Sequence, residues 1–560
     1  MPRDGGYQLT LGEPDVIYPG RMFQQILNPT GHLWLTILFA MVPLVALILM
    51  LAVFRVTAWL ATIIAGAITI PLGVAIWHVP LASTMHSYLF GGLTGVWSID
   101  WITFWGLIIF NTLVLTGNFG RFQSWMVHHA TADIRIQTIM LAWAFGALLE
   151  GLVGFGYPWA VVVPILVGLG IADLDAIRVA ALANNAPVSY GALGAPILGL
   201  AAVTGLTPIS LSGSIGNVVA ALALLPPWVL IYLVSGRKGL KEAWPLAIVG
   251  SLSYIAGQWP VAHYLGPYLP DLSGALASFW ILFLFVKVWR PKTIRGFGGV
   301  PLEESVAPAA NGSSPTSARD AFLAWLPYIV LILVVVAWTG PWSKLPNFSA
   351  FKLSIAAKSS VTQKAITSVF NFAPFNGGTS ILASWLVLLP ILRPGGDTLR
   401  RVFSRTFRQM WGALLVAFFI FGLAYVFIYT GMANSLAYGL SKIGIFFVVL
   451  APILGWIGVA LSGSNTSTNA MFGPVQMVTG NLLNLPVLLL PTLNSVGAEV
   501  GKPIAPQTAS VGVSTSKLVR SEGQVIRHNM GWTLIVLAYL ILLAVIFYRF
   551  FPQSMSLAAK

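Results

Sequence analysis

The stretch "SGSNTSTNAMFG" at residues 462–473 decides how this chain is read. Apart from Gly463, every residue from 462 to 469 is Ser, Asn or Thr, set between strongly apolar flanks in a chain with only 8% charged residues. Backbone that leaves helical geometry inside a bilayer must find partners for its N–H and C=O groups. It persists only where it is buried in protein or lines a wet cavity. Hydroxyl and amide side chains supply such partners. They also cap helices, so Asn465, Ser467 or Thr468 would start a second helical arm and aim free N–H groups and a positive dipole end at an anion. Small polar residues also glue helices together in membranes. A run this long, echoed by "NNAPVSYGALGAP" at 184–196, favours the binding-site reading instead.

The composition agrees. Hydrophobic residues make up 57% of the 560, with 21 Trp and 32 Phe, and the mean hydropathy is +0.84. Such a chain is a polytopic membrane protein, not a soluble domain. Residues 1 to about 30 lack the pattern of a cleaved signal and read as a polar tail before the first span. With no Cys, disulfides, thiol catalysis and Cys-ligated clusters are excluded. The seven His are scattered apart from adjacent His128 and His129, so no metal site and no cofactor is expected. Basic loops facing anionic lipid account for the net charge of +14 without any nucleic acid.

Ten apolar runs are long enough to cross, near 33–54, 57–79, 99–117, 213–234, 244–262, 272–288, 320–338, 377–392, 411–430 and 530–550. Four more regions are broken by Gly, Pro and polar clusters. Regions 137–171 and 443–484 read as hairpins that enter and leave on one side, with "EGLVGFGYP" (150–158) and "SGSNTSTN" at their tips. Regions 175–205 and 485–513 read as crossings broken in the middle. The expected fold is therefore all-α and polytopic, with about 12 transmembrane crossings plus two re-entrant helical hairpins. With the N-terminus outside, 20 of the 30 basic residues fall inside, which favours that orientation. The loop 339–376 disagrees, placing Lys344, Lys352, Lys358 and Lys364 outside.

Residues 290–320, rich in Pro, Gly and Ser, read as a flexible cytoplasmic linker. They separate a first membrane repeat with two extra spans, 1–289, from a second, 321–560. An offset of 310 carries Asn184 onto Asn494, Gly191 onto Gly501, Ala195 onto Ala505 and Pro196 onto Pro506. An offset of 312 does the same for the hairpins, pairing Gly146 with Gly458 and Gly151 with Gly463. One half begins outside and the other inside, which is the pattern of an inverted-repeat secondary transporter with its site at the repeat interface.

At "FGALLEGLVGFGYPWAVVVPILVGLGI" (145–171), "NNAPVSYGALGAPIL" (184–198), "SGSNTSTNAMF" (462–472) and "GKPIAPQTASV" (501–511) the chain resembles the bacterial lactate permease family. The resemblance extends over essentially the whole chain. It implies import of lactate, and also glycolate, together with protons across a bacterial inner (plasma) membrane. Two positions depart from the family pattern: Asn184 before Asn185, and an acid at Glu499.

Of 16 acids, the expected topology leaves only Glu150 and Glu499 at membrane depth. A carboxyl there is costly when ionised, which suits a proton carrier. Glu150 is the first choice, beside Gly151, Gly154 and Gly156, where backbone can approach a small ligand. Glu499 is the second candidate for proton coupling, and, lying three residues before Lys502, it has the alternative of forming a neutral pair with that lysine. Lys502, the one base assigned to a span interior, would compensate a monocarboxylate at mid-membrane. Asn184, Asn185, Asn465, Asn469 and Asn494, with Ser462, Ser464, Thr466, Ser467 and Gln507, offer polar contacts to a hydroxyl and a carboxylate. Phe155, Tyr157 and Tyr190 would shape an apolar slot for a methyl group.

Three other readings compete with this one. A sodium-coupled dicarboxylate carrier also places Ser, Asn and Thr at hairpin tips. A membrane enzyme needs clustered acids or a Ser/His/Asp set within the spans, and none is visible. A channel is disfavoured by the inverted repeat with a titratable acid.

Overall fold

The apolar runs fold into helices because a bilayer core offers the backbone no other partners. The computed structural model describes residues 23–122, 132–154, 156–302, 318–518 and 520–557. In the first half these are α1 (Leu33–Ala52), α2 (Ala58–Ala75), α3 (Leu81–Leu115), α4 (Phe145–Leu152), α5 (Tyr157–Gly168), α6 (Asp173–Ala183) and α7 (Gly191–Thr204). Then come α8 (Pro208–Leu222), α9 (Pro226–Glu242), α10 (Trp244–Tyr264) and α11 (Pro270–Val288). The second half holds α12 (Ala318–Thr339), α13 (Gly377–Leu392), α14 (Gly396–Thr430), α15 (Met432–Ser441), α16 (Phe447–Ser462) and α17 (Asn465–Leu482). It ends with α18 (Leu489–Gly501), α19 (Pro506–Ser514) and α20 (Glu522–Phe550).

Among the described residues nine helices are long and apolar enough to cross a membrane, and a tenth if α6 and α7, bent by 70° at their break, count as one. Several differ from the expected runs. The run expected at 99–117 is the second half of a 35-residue helix, Leu81–Leu115, because the Ser, Thr, Gly and His of its first half interrupt the apolar signal. The first arm of the second hairpin, Gly444–Ser462, is itself long and apolar enough to span. Pro452 lies within it, and a proline that looks like a break in sequence is tolerated when neighbouring helices satisfy the freed carbonyl. In the first hairpin the second arm is short, α5 having 12 residues, whereas α4 continues without a break from Ile134–Gln137 through a π-helical stretch, Thr138–Ala144, so the first arm is longer than α4 alone.

The loop 339–376 is a correction to its reading as plain loop, because β2 (Phe351–Lys358) and β3 (Ala365–Phe372) form an antiparallel pair there. β1 (Phe23–Gln24) joins β2 in parallel. Gln25 then donates to the carbonyls of Ile428 and Tyr429 at 2.7 and 2.9 Å, fastening this sheet to the end of α14.

The start of the linker is likewise fixed. Arg135, fully buried, donates to Asp133 at 2.6 Å, to Glu242 at 3.1 Å and to the carbonyl of Thr293 at 2.7 Å. Arg295 pairs with Glu242 at 2.6 Å. Residues 290–302 are thus tied to the bundle, against the expectation of flexibility over that part. Residues 303–317, like His128 and His129, lie outside the described residues.

Two close approaches position the helices around the site. A Cβ on Gly95 would lie 2.6 Å from the Ala417 carbonyl, so α3 and α14 touch backbone to side here. Gly455 and Gly497 do the same for α16 and α18, each lying against the other helix's backbone at Asn494 and Pro452.

Candidate functional site

The interruptions in the sequence fall at one place in the molecule. α4 ends at Leu152, and the chain turns through Gly154 and Gly156, with φ of +65° and +77°, into α5. α6 ends at Ala183, and after a short 3₁₀ turn Ala192, Leu193 and Gly194 take left-handed backbone before α7 continues. α18 stops at Gly501, and Lys502–Ile504 form a 3₁₀ turn into α19. Gly463, at φ +71°, breaks α16 from α17. The cap of α17 is Ser464, whose hydroxyl accepts from the Ser467 N–H at 3.2 Å, not the expected Asn465, Ser467 or Thr468.

These four breaks border a cavity of about 460 Å³. Glu150, Gly154 and Tyr157 line it from the first hairpin, and Ser462, Ser464, Asn465, Thr466 and Ser467 from the second. Lys502 and Gln507 line it from the last break. Helix geometry leaves the first N–H groups of α17 without intrahelical partners, and that first turn is on the cavity wall. Leu47 and Leu51 of α1, Trp59 of α2 and Gln409 and Trp411 of α14 also line the cavity. In sequence these positions neighbour Arg55 and Arg408.

The central contact is the ion pair of Lys502 Nζ with Glu150 Oε1 at 2.6 Å, both side chains being nearly inaccessible. Asn184 donates to the other carboxylate oxygen at 3.0 Å. The alternative pair of Glu499 with Lys502 is not formed. Lys502 lies past the end of α18, so its side chain leaves that helix and reaches the hairpin. Glu499 accepts instead from the Ser189 N–H at 2.8 Å, and its second oxygen has no partner.

Behind the wall sits a buried amide and hydroxyl network. Asn465 donates to the Ser495 carbonyl at 3.1 Å, Asn469 to the Pro196 carbonyl at 3.0 Å, and Asn494 to Asn469 at 2.9 Å. Asn469 and Asn494 do not line the cavity and hold the breaks together instead. Asn184, Asn185, Gly151, Gly156, Tyr190 and Glu499 also stand off the cavity wall. The Tyr190 hydroxyl donates to the Ser212 carbonyl, which makes it a packing residue and not part of an apolar slot. Both amide atoms of Asn185 are buried without a partner. Phe155 lies outside the described residues.

Sequence reasoning missed Asp100, Thr62, Thr103, Trp59 and Gln409, which also line the cavity. Asp100 was placed at a span end, whereas it lies mid-helix in α3. The apolar residues on both sides of "SID" at 98–100 were the available signal. A further buried acid, Asp271, begins α11 and accepts from the Tyr254 hydroxyl at 2.8 Å.

A cavity with a polar wall at the helix breaks, sunk into a multi-pass helical bundle, is the architecture of a membrane permease. The chain belongs to the L-lactate permease family, matching that family's profile over residues 36–551. It is 33% identical over 540 residues to the glycolate permease GlcA of Escherichia coli (strain K12), covering 91% of this chain and 95% of that one. It is 30% identical over 541 residues to the L-lactate permease of Bacillus subtilis (strain 168), covering 90% and 95%. Among solved structures it is similar to the YdaH transporter of Alcanivorax borkumensis, with a TM-score of 0.48, 15% identity, and 89% and 99% coverage.

Proposed function

We propose that the protein imports a small 2-hydroxy monocarboxylate, lactate and also glycolate, together with protons, by alternating access across a bacterial inner membrane. The observation that carries this reading is the Glu150–Lys502 pair on the cavity wall. A buried ammonium facing a wet cavity suits a carboxylate, and it is already occupied by one. A substrate carboxylate reaches Lys502 only when Glu150 lets go, and Glu150 lets go at least cost by taking a proton. The ammonium then holds the substrate anion, Glu150 is neutral, and one anion and one proton have loaded together. The first turn of α17 and the hydroxyls of Ser462, Ser464 and Thr466 offer donors for the rest of the carboxylate and the 2-hydroxyl.

The hairpin and broken crossing in each half, 1–289 and 321–560, supply the two elements that rock about the site. Part of the cavity lining lies next in sequence to Arg55 and Arg408, which supports reading this conformer as inward-facing. The names of the relatives favour a monocarboxylate over the sodium-coupled dicarboxylate alternative.

The test is counterflow and uptake of radiolabelled lactate and glycolate in proteoliposomes. An imposed inward proton gradient should drive accumulation with no sodium present. Accumulation that needs a sodium gradient would assign the alternative.

A further inference from the structure

Asp100 is a buried acid on the cavity wall that the reading above leaves unused. It closes a π-helical turn, Gly95–Asp100, inside α3, where the wider turn re-aims side chains. It is 4% exposed, faces the cavity beside Ile99 and Thr103, and its Oδ2 is buried without a hydrogen-bond partner. Glu150 is held by Lys502, whereas Glu499 and Asp271 each accept one hydrogen bond and keep one buried oxygen without a partner, but neither of these two lines the cavity.

The elements packed on this turn bring it no compensating charge. α7 carries no acid or base. On α14 the last base is Arg408, nine residues before Ala417, the residue that meets Gly95. The earlier part of α3 carries His86 and Tyr88, and Tyr88 packs against Gly66 and Gly422. Across the cavity the charged groups are Glu150 and Lys502, paired with each other. With Lys502 engaged by Glu150, an ionised Asp100 is offset only by the open cavity it faces, and it would repel an entering carboxylate. A neutral Asp100 presents an O–H donor to that carboxylate.

We infer that Asp100 binds a second proton of the transport cycle, being neutral when the substrate anion is present and donating a hydrogen bond to it. The inference rests on the proposed carboxylate transport. Loading then takes one anion and two protons, one on Glu150 and one on Asp100, so the load carries one net positive charge. An interior-negative potential therefore pulls it inward.

The experiment measures steady-state lactate accumulation in proteoliposomes under a potassium diffusion potential and, separately, under a pH gradient. For the wild type, about 59 mV, inside negative, should raise the accumulation ratio about tenfold. Asp100→Asn keeps a neutral donor, so it should accumulate lactate under the pH gradient through Glu150 while losing the response to potential. Asp100→Glu, a second variant in case the first fails to fold, should retain that response. A wild type that accumulates under the pH gradient but ignores the potential overturns the inference alone. So does an Asp100→Asn protein that still responds to potential. A wild type that takes up neither lactate nor glycolate under any gradient overturns the transport reading, and the inference with it.

Discussion

Lys502 Nζ lies 2.6 Å from Glu150 Oε1, joining a hairpin tip in the first half of the chain to a helix break 352 residues later. Both residues line the cavity. Taking two such charges out of water costs several kcal/mol each, and the pair survives because Asn184 and the opposed charge repay that cost. Removing either partner is therefore a different event from removing a surface ion.

Lys502→Ala strands a buried carboxylate, and should destabilise the fold by about 3 to 5 kcal/mol unless Glu150 protonates. Combining it with Glu150→Gln should recover a large part of that loss. Thermal unfolding in detergent, run as a double-mutant cycle, measures this. Strict additivity would mean that the two residues do not interact.

Glu150→Gln mimics the protonated acid and frees Lys502 for substrate. It should keep the exchange of labelled for unlabelled lactate. With Asp100 still titrating, accumulation at zero potential should fall from about a hundredfold to about tenfold per pH unit, as expected on going from two linked protons to one. Accumulation equal to the wild type would pass the first proton to Glu499, and Glu499→Gln should then show the loss.

The sequence exposed what periodicity and composition encode. The polar clusters at 184–196 and 462–469 stood out because hydroxyls and amides inside apolar runs are costly without partners; the second lines the cavity with its polar side chains, whereas the first lines it only through Val188, Gly191, Ala192, Ala195 and Pro196. Side-chain pairing was not legible. Lys502 is three residues from Glu499, but a helix end between them sends its side chain 352 positions away to Glu150, which no local spacing encodes. Asp100 was hidden for a different reason: "STMHSYLFGG" ahead of it looks too polar to be membrane helix until Gly91 and Gly95 are seen packed on α14. The strands at 351–372 alternate too weakly in a loop-like composition to announce a sheet.

At the other end of the molecule, Arg135 is fully buried among Asp133, Glu242 and two carbonyls. Arg135→Ala would leave Asp133, itself 1% exposed, without its cation. A loss of about 3 to 5 kcal/mol is expected, since an uncompensated charge stays behind. Arg135→Lys should rescue little, because one ammonium cannot replace a fork that reaches five acceptor atoms across Asp133, Gly239, Glu242 and Thr293. Limited proteolysis of the linker reads out the same event, as 290–302 depends on this clamp. Unchanged melting and cleavage in Arg135→Ala would show that the clamp does not hold the linker.

Gly191 fixes Glu150 from behind. Its own φ is ordinary, at −59°, so Ala fits the backbone, but a Cβ there would stand 2.5 Å from Glu150 Oε1 and 3.1 Å from Cδ and Cγ. The carboxylate must move, and the direction left to it is away from this wall, which lengthens the bond to Lys502. Gly191→Ala should therefore cost about 1 to 3 kcal/mol in stability, as overpacking does, and should weaken lactate exchange. If the clash with Glu150 is the cause, shortening that side chain removes it, and Gly191→Ala in a Glu150→Ala background should cost almost nothing further. Contacting residues couple by about 0.5 to 3 kcal/mol in such cycles, whereas independent ones add within about 0.5. Additive losses would place the effect of Gly191 in the helix break itself, and not in the position of the carboxylate.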